Sequence, residues 1–405
     1  MTSQFKAYRI SDKVWWVGAV DWHLRDFHGY ATERGSTYNA YLIMADKITL
    51  IDTVKRPFLN EMLSRISSVT DPRNIKIVVS NHTEMDHSGS IPDIAEIARP
   101  DKIIASEMGA KALAEHFNLK IPVTPVKDWE TLNLGNMELS FIETRMVHWP
   151  DSMFTYLGNE KTLFSSDAFG MHLASSSRYA DEIDKGILHS EMKKYYANIL
   201  TPFASLILRL LEKVKKSDLA IETIATAHGP IFRKDIDWAL ERYQTWSKQE
   251  PSRKVVVVYD TMWKSTEAMA LAIAEGARDA DAVPYVMPLS VNHRSDVATE
   301  VLDAGALLVG SPTLNNGMMP TVADILTYFK GLKPQNLIGA AFGSYGWNGV
   351  AVEQINQYLR DMKVDLVSSG ISVKYVPNDD TLKRCFELGR TVGEKLCQVV
   401  ERRAK

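Results

Sequence analysis

Apolar and polar positions follow two different patterns along the chain, and the change falls near residue 250. Before it, short β-branched runs alternate with helical stretches, which predicts strands and helices in a layered α/β domain. The predicted strands are 39–44, 48–51, 75–79, 102–105, 139–142 and 162–164. The predicted helices are 58–66, 108–117 and a long one over 189–211.

The second part of the chain alternates strands and helices more regularly. It opens with KVVVVYD, a continuous apolar run typical of a strand buried on both faces. Further strands are predicted at 284–287, 306–310, 337–342 and 373–376, with helices at 266–278, 295–304, 322–329, 349–362 and 381–401. Five strands alternating with helices indicate a doubly wound parallel sheet.

A polar segment, TWSKQEPSRK at 245–254, separates the two patterns. It contains Pro251 and lacks apolar periodicity, so we interpret it as an interdomain linker. The sequence therefore predicts one domain over residues 1–250 and a second over 254–405. A chain of 405 residues is long enough for two hydrophobic cores.

Composition and charge exclude several classes of protein. A hydrophobic content of 45% and a charged content of 24% are ordinary for a globular protein, and a net charge of −3 gives no general attraction to nucleic acid or to anionic membranes. We find no secretory signal at the start and no apolar run that could span a bilayer. The only cysteines are Cys385 and Cys397, without a CxxC pair, which favours a reducing cytoplasm.

The sharpest motif is NHTEMDHSG, which follows the predicted strand 75–79. It places His82, Glu84, Asp86 and His87 within six residues, at a strand end where a loop can direct them to one centre. Alone, this motif could be an exposed polar loop, and a single histidine is more often structural than a metal ligand. Motifs later in the chain are needed to decide between a polar loop and a metal site.

Three more candidate ligands each follow a strand-like stretch: His148 in TRMVHWPDS, Asp167 in LFSSDAFG and His228 in IATAHGP. Seven groups are too many for one four-coordinate ion and suit two ions, with a carboxylate such as Asp167 between them. Imidazoles combined with carboxylates favour iron or manganese, although this ligand set does not exclude zinc.

Three loops of the second part are suited to a phosphorylated cofactor. TMWKST follows the first strand of that part and offers the hydroxyls of Thr261, Ser265 and Thr266 and the backbone N–H groups of a helix start. By itself it could be an ordinary turn. GSPTLNNGMMP and FGSYGWNG follow two later strands, at the sheet edge where ligands of open α/β sheets bind, and Tyr345 or Trp347 could stack on a ring. No GxGxxG motif indicates NAD.

Residues 8–250 resemble the metallo-β-lactamase superfamily, which carries HxHxDH, then a histidine, a bridging aspartate and a last histidine. An earlier superfamily aspartate is matched by Asp52 in LIDTV. Glu84 stands where the hydrolases have a second histidine, and HxExDH, HWPDS and SDAFG resemble the flavodiiron branch. The second part resembles its flavodoxin-like half, although Trp263 and Lys264 break the usual [ST]xTGxT phosphate loop.

This resemblance implies an N-terminal metallo-β-lactamase-like αββα sandwich and a C-terminal flavodoxin-like doubly wound parallel sheet. It implies one iron held by His82, Glu84, His148 and Asp167, and another held by Asp86, His87, Asp167 and His228. The implied FMN contacts are Thr261, Met262, Trp263, Lys264, Ser265, Thr266, Pro312, Thr313, Leu314, Asn315, Asn316, Ser344, Tyr345, Gly346 and Trp347. His28, His172 and Tyr195 are candidates for hydrogen bonding or proton delivery near the gas.

The implied activity is reduction of dioxygen to water or of nitric oxide to nitrous oxide. Reduction of dioxygen takes four electrons, which two irons and one FMN together supply, and the coupling of two nitric oxide molecules takes two. The resemblance also implies a head-to-tail homodimer, or a dimer of dimers, and an external electron donor, either rubredoxin or a reduced deazaflavin. The rival interpretations are a binuclear hydrolase with a fused flavodoxin and a non-catalytic electron carrier.

Overall fold

The computed structural model describes residues 5–404, and its contacts divide the chain into two compact units. The first unit contains the chain up to His28 together with Thr32–Tyr195 and Ser205–Gln244. The second contains Gly29–Ala31, Tyr196–Ala204 and the chain from Thr245 onward. The domain boundary placed at 250–254 from sequence stays a prediction. Among the described residues, no helix combines the length and the apolar character needed to cross a membrane.

The first unit contains two large β-sheets. The seven-stranded sheet has the spatial order Tyr8–Arg9, Val14–Trp16, Tyr41–Ile43, Thr49–Ile51, Ile77–Ser80, Lys102–Ser106 and Val123–Val126. The five-stranded sheet has the order Thr131–Asn133, Glu138–Glu143, Met153–Leu157, Thr162–Phe164 and Thr223–Ala225. Ala19–Asp21 pairs with Ser36–Tyr38 in a smaller sheet, and the short strands Asp26–Phe27 and Tyr30–Ala31 lie between them in sequence. All six strands predicted for this part are present.

The two large sheets pack face to face through a shared core. Tyr41 and Val79 of the larger sheet lie in one buried cluster with Phe141, Leu157 and Phe164 of the smaller sheet. These side chains have little exposure, so removing their apolar surface from water is a main source of stability for this unit. The shared core fixes the relative position of strand ends from the two sheets.

Helices cover the outer faces of both sheets and complete an αββα sandwich, as predicted. On the larger sheet, Leu50 and Val78 pack in a cluster with Met62, Ile94 and Leu113 of the covering helices. The helices of this part are Leu59–Ser67, Met85–Ser88, Ile91–Ala98, Glu107–His116, Lys185–Tyr195, Ala204–Lys216 and Ile236–Lys248. Short 3₁₀ turns lie at Arg56–Phe58, Pro72–Asn74, Gly158–Glu160, Ala180–Glu182 and Thr201–Phe203.

The prediction of one long helix over 189–211 is wrong. The helix Lys185–Tyr195 passes into a π-helical segment, Tyr196–Leu200, and then a 3₁₀ turn, before Ala204–Lys216 begins. Pro202 lies in that 3₁₀ turn, where its missing N–H and its ring are incompatible with a continuous α-helix. Apolar periodicity on both sides of the proline concealed the break.

The predicted linker is also partly wrong. The helix Ile236–Lys248 extends through its first residues, and the strand Lys254–Tyr259 begins at its last one. Trp246 and Ser247 are buried in this helix, Trp246 beside the ring of Tyr196 and Ser247 bonded to its hydroxyl at 2.7 Å. Burial of these two side chains stabilises the end of this helix, although the local sequence lacks apolar periodicity. Residues 249–253 connect this helix to the strand Lys254–Tyr259.

The second unit is built on a parallel sheet with the spatial order Val283–Pro288, Lys254–Tyr259, Ala306–Gly310 and Ile338–Tyr345. The fifth position holds two pieces, Asp365–Leu366 and Ile371–Lys374, which both pair with Ile338–Tyr345. The predicted doubly wound parallel sheet is therefore confirmed, with its last strand divided in two. A small hairpin pairs Thr313–Leu314 with Gly317–Met318.

Five helices of the second unit pack on both faces of this sheet. They are Ser265–Asp279, Arg294–Val301, Pro320–Leu332, Ala351–Asp361 and Asp379–Ala404. Val256 and Val258 of the first strand contribute to the core on one face, and Val255 and Val257 to the core on the other. Because a strand alternates its side chains between faces, the continuous valine run gives two apolar faces, as its sequence predicted.

Candidate metal and cofactor sites

The seven predicted metal ligands meet in the first unit because their loops leave neighbouring ends of the two sheets. His82 and Glu84 lie in the loop after Ile77–Ser80, and Asp86 and His87 in the short helix that follows it. The other three lie in loops that follow strands of the five-stranded sheet: His148 after Glu138–Glu143, Asp167 after Thr162–Phe164 and His228 after Thr223–Ala225. The ligand-capable atoms form two groups, each within 4.8 Å across, namely His82, Glu84, His148 and Asp167, and Asp86, His87 and His228.

Asp167 lies between the two groups. Its Oδ2 is 3.1 Å from Nε2 of His148 and 3.4 Å from Nε2 of His82. Its Oδ1 is 3.1 Å from Nε2 of His87 and 3.4 Å from Nε2 of His228. One carboxylate therefore presents one oxygen to each group, which is the arrangement that a bridging ligand requires.

Several atoms of this cluster are buried and have no hydrogen-bond partner: both carboxylate oxygens of Asp86, both oxygens of Asp167, and both ring nitrogens of His87. Buried polar atoms are nearly always hydrogen-bonded, so a group of unpartnered atoms at one point indicates a ligand-binding site. Carboxylates and imidazoles facing each other without bonds match the donor set of a pair of hard or borderline cations. The residues present therefore fit a di-iron centre.

The carboxylates and imidazoles of the cluster stabilise each other's charged forms. Burial raises the pKa of Asp167, but His87, His148 and His82 outweigh it and hold that pKa well below its ordinary value. Burial lowers the pKa of His87, yet Asp86 and Asp167 raise it to about 9. Ionised carboxylates in a site shielded from water create a strong attraction for cations.

Two interactions that the sequence did not reveal hold the histidine rings. Nδ1 of His82 lies 3.1 Å from Oδ2 of Asp151, which also accepts a 2.7 Å hydrogen bond from the backbone N–H of Thr83. Nδ1 of His228 lies 2.6 Å from the carbonyl oxygen of Thr37. These contacts leave Nε2 of both rings directed at the ligand groups. Asp151 belongs to the motif HWPDS, whose acidic residue was the available signal.

Asp52, the matched superfamily aspartate, is hydrogen-bonded to Asn81 at the start of the metal-binding loop. Its Oδ1 accepts a 2.7 Å hydrogen bond from the backbone N–H of Asn81, and its Oδ2 accepts a 3.0 Å bond from the side-chain amide of Asn81. The hydroxyl of Thr155, on the other large sheet, donates to Oδ1 of Asn81 at 2.6 Å. Asn81, directly before His82, thus connects the two sheets at the site.

The three predicted proton-delivery residues lie near the ligands. Nε2 of His28 is 3.4 Å from Oε1 of Glu84, with the His28 side chain largely exposed. The buried ring of His172 lies 5.0 Å from that of His228 and 5.1 Å from that of Tyr195. Burial and His228 lower the pKa of His172 well below its ordinary value, while burial and the carboxylates raise the pKa of Tyr195.

The three loops predicted to bind FMN meet at the carboxyl edge of the parallel sheet in the second unit. Thr266 and Ser344 place their hydroxyl oxygens 3.4 Å apart, and the hydroxyl of Thr313 lies 3.4 Å from the backbone N–H of Ala351. Gly343 permits this approach, because a Cβ there would lie 1.9 Å from the carbonyl oxygen of Ser311. The juxtaposition expected from strand order is therefore present.

The phosphate loop itself contains a buried hydroxyl that makes no hydrogen bond within the protein. Oγ1 of Thr261 is buried and has no hydrogen-bond partner. Lys264 takes a left-handed conformation, with φ of 66°, directly before the helix Ser265–Asp279, whose first N–H groups are available to an anion. An orphan hydroxyl beside a helix start fits a phosphate monoester, so these residues fit FMN.

The residues predicted to contact FMN differ in their exposure to solvent. Pro312, Thr266 and Ser344 are buried, and Thr261, Thr313, Leu314, Ser265, Tyr345 and Gly346 are half-buried. Met262, Trp263, Lys264, Asn315, Asn316 and Trp347 are exposed, with Trp263 and Trp347 almost fully so. Asn315 and Asn316 form the left-handed turn of the small hairpin.

Comparison with known proteins identifies the two folds. Residues 37–229 match the ODP family beta lactamase, and residues 257–389 match Flavodoxin. A nitric oxide reductase of Moorella thermoacetica is 44% identical over 391 residues, which are 96% of this chain and 98% of that protein. The chain belongs to the flavodiiron protein family.

Solved structures of flavodiiron proteins extend the likeness to the whole fold. The rubredoxin oxygen:oxidoreductase from Desulfovibrio gigas has a TM-score of 0.96 and 43% identity, covering 98% of this chain and 100% of that one. The flavodiiron protein from Giardia intestinalis has a TM-score of 0.95 and 37% identity, covering 98% of each chain. The predicted combination of a metallo-β-lactamase-like and a flavodoxin-like fold is confirmed.

Proposed function

We propose that this flavodiiron protein is an oxidoreductase that reduces dioxygen to water, nitric oxide to nitrous oxide, or both. The observation that carries the proposal is Asp167, whose two oxygens face two separate groups of ligands. It is supported by relatives named nitric oxide reductase and rubredoxin oxygen:oxidoreductase, which this chain matches along nearly its whole length. A fused flavodoxin-like fold supplies the place for an electron-carrying cofactor.

We assign one iron to His82, Glu84, His148 and Asp167, and the other to Asp86, His87, Asp167 and His228. When bound, the irons would supply a binding site for the gas and would pass to it the electrons that arrive through FMN. Glu84 adds an anionic donor where hydrolases of the superfamily have an imidazole, which favours a more oxidised metal. The side chain of His87 points into the cluster, which supports its role as a ligand.

The chain's own residues orient the ligands and supply protons. Asp151 and the Thr37 carbonyl bind Nδ1 of His82 and His228 and leave Nε2 for metal. The lowered pKa of His172 keeps its ring neutral, so it serves as a hydrogen-bonding group and not as a base, with Nδ1 2.8 Å from the Ser36 hydroxyl. His28 is open to solvent and reaches Glu84, which suits it to carry protons inward.

For FMN, we assign the phosphate to 261–266 and the ring to the loops at 312–316 and 344–347. The buried Oγ1 of Thr261 and the N–H groups at the start of Ser265–Asp279 would bind the phosphate. Tyr345 and Trp347 are the aromatic side chains placed to stack on the isoalloxazine ring. These assignments place one cofactor in each of the two domains proposed from the sequence, 1–250 and 254–405.

The proposal includes an external electron donor, rubredoxin in preference to a reduced deazaflavin. It also includes a cytoplasmic location and assembly as a homodimer or a dimer of dimers, in which one subunit's FMN serves the partner's irons. A monomer that turns over at full rate, identified by sedimentation at the concentration of the assay, would contradict the assembly. It would leave the chemistry of the sites unaffected.

The decisive experiment is anaerobic stopped-flow of the reduced protein against each gas, with iron and FMN measured on the same sample. Asp167→Ala is expected to abolish gas-driven reoxidation and to retain FMN, while Asp12→Ala, an exposed control, keeps both. Two zincs per chain with no flavin-coupled turnover would favour the hydrolase. An unchanged rate in Asp167→Ala would favour the electron carrier.

A further inference from the structure

A small apolar cavity lies in the first unit, between the five-stranded sheet and the two helices that cover it. Leu163 and Ile224 form its wall on the sheet side, and Ile207 and Leu240 form its wall on the helix side. The space open to the centre of a water-sized molecule is about 20 Å³, enough for one small molecule. No residue assigned above to the metals or to FMN lines it.

The apolar character of the cavity follows from the spacing of its helical residues. Ile207, Leu210, Leu211 and Val214 recur at the helical period, so they form one stripe of the helix Ala204–Lys216 that faces the sheet. Charged residues of this helix occupy positions between them. The cavity is therefore a consequence of two amphipathic faces that meet without filling the space completely.

The lining residues are apolar except for one. The one polar side chain among the lining residues is Tyr243, whose hydroxyl accepts a 2.6 Å hydrogen bond from the backbone N–H of Phe169. A buried water needs two to four polar partners, and genuinely empty apolar cavities stay dry and take up apolar molecules such as xenon. This space therefore favours an apolar diatomic molecule over water.

The position of the cavity connects it with the metal centre. Val147 and Ala168 line it, and each is the chain neighbour of an assigned ligand, His148 or Asp167. On the other side it is bounded by side chains that are only half-buried, including Leu240, so the cavity lies close to the surface of the unit. The lining thus extends from the surface of the unit to the backbone behind the bridging carboxylate.

We propose that this cavity is a binding site for the gaseous substrate, where dioxygen or nitric oxide collects from solvent before it reaches the metal ligands. The inference rests on the proposed function, because it assigns a substrate to the cavity. Dioxygen and nitric oxide are small and weakly polar, so they partition into apolar space, whereas protons and water are kept to the polar side of the cluster. Separate routes for gas and protons follow from this arrangement.

The test uses xenon as the probe, on crystals of the full-length protein with iron and FMN bound, and stopped-flow with dioxygen and nitric oxide. We expect xenon between Ile207 and Leu163. Leu240→Trp fills the space, so it is expected to remove the xenon and to lower the second-order rate constant for the gas several-fold, with iron content and the rate at saturating gas retained. Ile224→Val enlarges the space and is expected to raise xenon occupancy.

Leu63→Trp is the matched control, since Leu63 is a half-buried helical leucine of the same unit that packs on the larger sheet. It should change neither xenon binding nor the gas rate. Absence of xenon from the wild-type cavity would overturn the proposal, as would an unchanged gas rate in a folded Leu240→Trp protein that has lost its xenon. If Leu240→Trp does not fold, Leu240→Phe replaces it with the same expected direction. A wild-type protein that binds xenon but reacts with neither gas would instead refute the proposed function.

Discussion

The carboxylate of Asp151 lies 3.1 Å from Nδ1 of His82, on the side of the ring opposite the metal ligands. The same oxygen accepts a hydrogen bond from the backbone N–H of Thr83. Asp151 therefore fixes both the tautomer of the first ligand and the start of the metal-binding loop. A carboxylate in this position also raises the basicity of the imidazole as a metal ligand.

Asp151→Asn should weaken metal binding without removing a ligand. The amide oxygen can still accept one hydrogen bond, but it lacks the negative charge that favours the Nδ1-protonated ring. We expect iron affinity to fall roughly 10- to 100-fold, as is typical for a lost partner of a ligating histidine. Competition with a chelator, followed by iron analysis, measures the change, with Asp12→Asn as the exposed control. Equal affinity in both variants would show that Asp151 does not orient His82.

Asp52 should give metal-depleted protein a distinct pH dependence. Burial raises the pKa of Asp52 to about 6 from an ordinary value of 3.8, although His87 and the hydrogen bonds from Asn81 lower it. The folded state therefore binds this proton more tightly than the unfolded state. The stability that the proton contributes is fully present below pH 3.8 and is lost as pH rises through about 6.

Asp52→Asn lacks this titration. The unfolding free energy of wild type relative to Asp52→Asn should therefore fall as pH rises from about 4 to 7, by about 2 kcal/mol for a shift of this size. Denaturant unfolding of chelator-treated protein at each pH provides the measurement. A difference that stays constant over this range would mean that Asp52 keeps its ordinary pKa in the fold.

Thr261→Val should reduce FMN affinity while leaving the FMN-free fold intact. The hydroxyl of Thr261 is buried without a partner, so replacing it with a methyl group removes no hydrogen bond within the protein. A hydrogen bond to a charged phosphate contributes about 1.5–3 kcal/mol, so affinity should fall about 10- to 100-fold. Quenching of FMN fluorescence on titration gives the dissociation constant.

The control is Thr391→Val, on the exposed surface of Asp379–Ala404, where the hydroxyl bonds only to its own helix at Glu387. It should leave FMN affinity unchanged. If Thr261→Val lowers the free energy of unfolding of FMN-free protein as much as it lowers FMN binding, the hydroxyl has a structural role and its assignment to phosphate is wrong.

The sequence by itself determined six strands of the first part, the alternation of strands and helices in the second, and the order of the ligands along the chain, and its motifs carried the resemblance that gave both fold types. Hydrophobic periodicity and short motifs are local, and each candidate ligand was placed at a strand end by its immediate neighbours. The same local reasoning extended one helix through Pro202, because apolar periodicity on both sides outweighed the proline. It assigned the helical residues near Trp246 to a linker, because their burial depends on contacts distant in sequence.

Only the tertiary structure decided which atoms face each other. Asp151 is 69 positions from His82, and Thr37 is 191 positions from His228, so neither contact has a local signal. The division of Asp167 between two ligand groups and the apolar cavity behind it likewise depend on how two sheets and their helices pack. Motif spacing selects which side chains are available, whereas long-range packing sets their distances to a few tenths of an ångström, and those distances determine which groups can hold a metal.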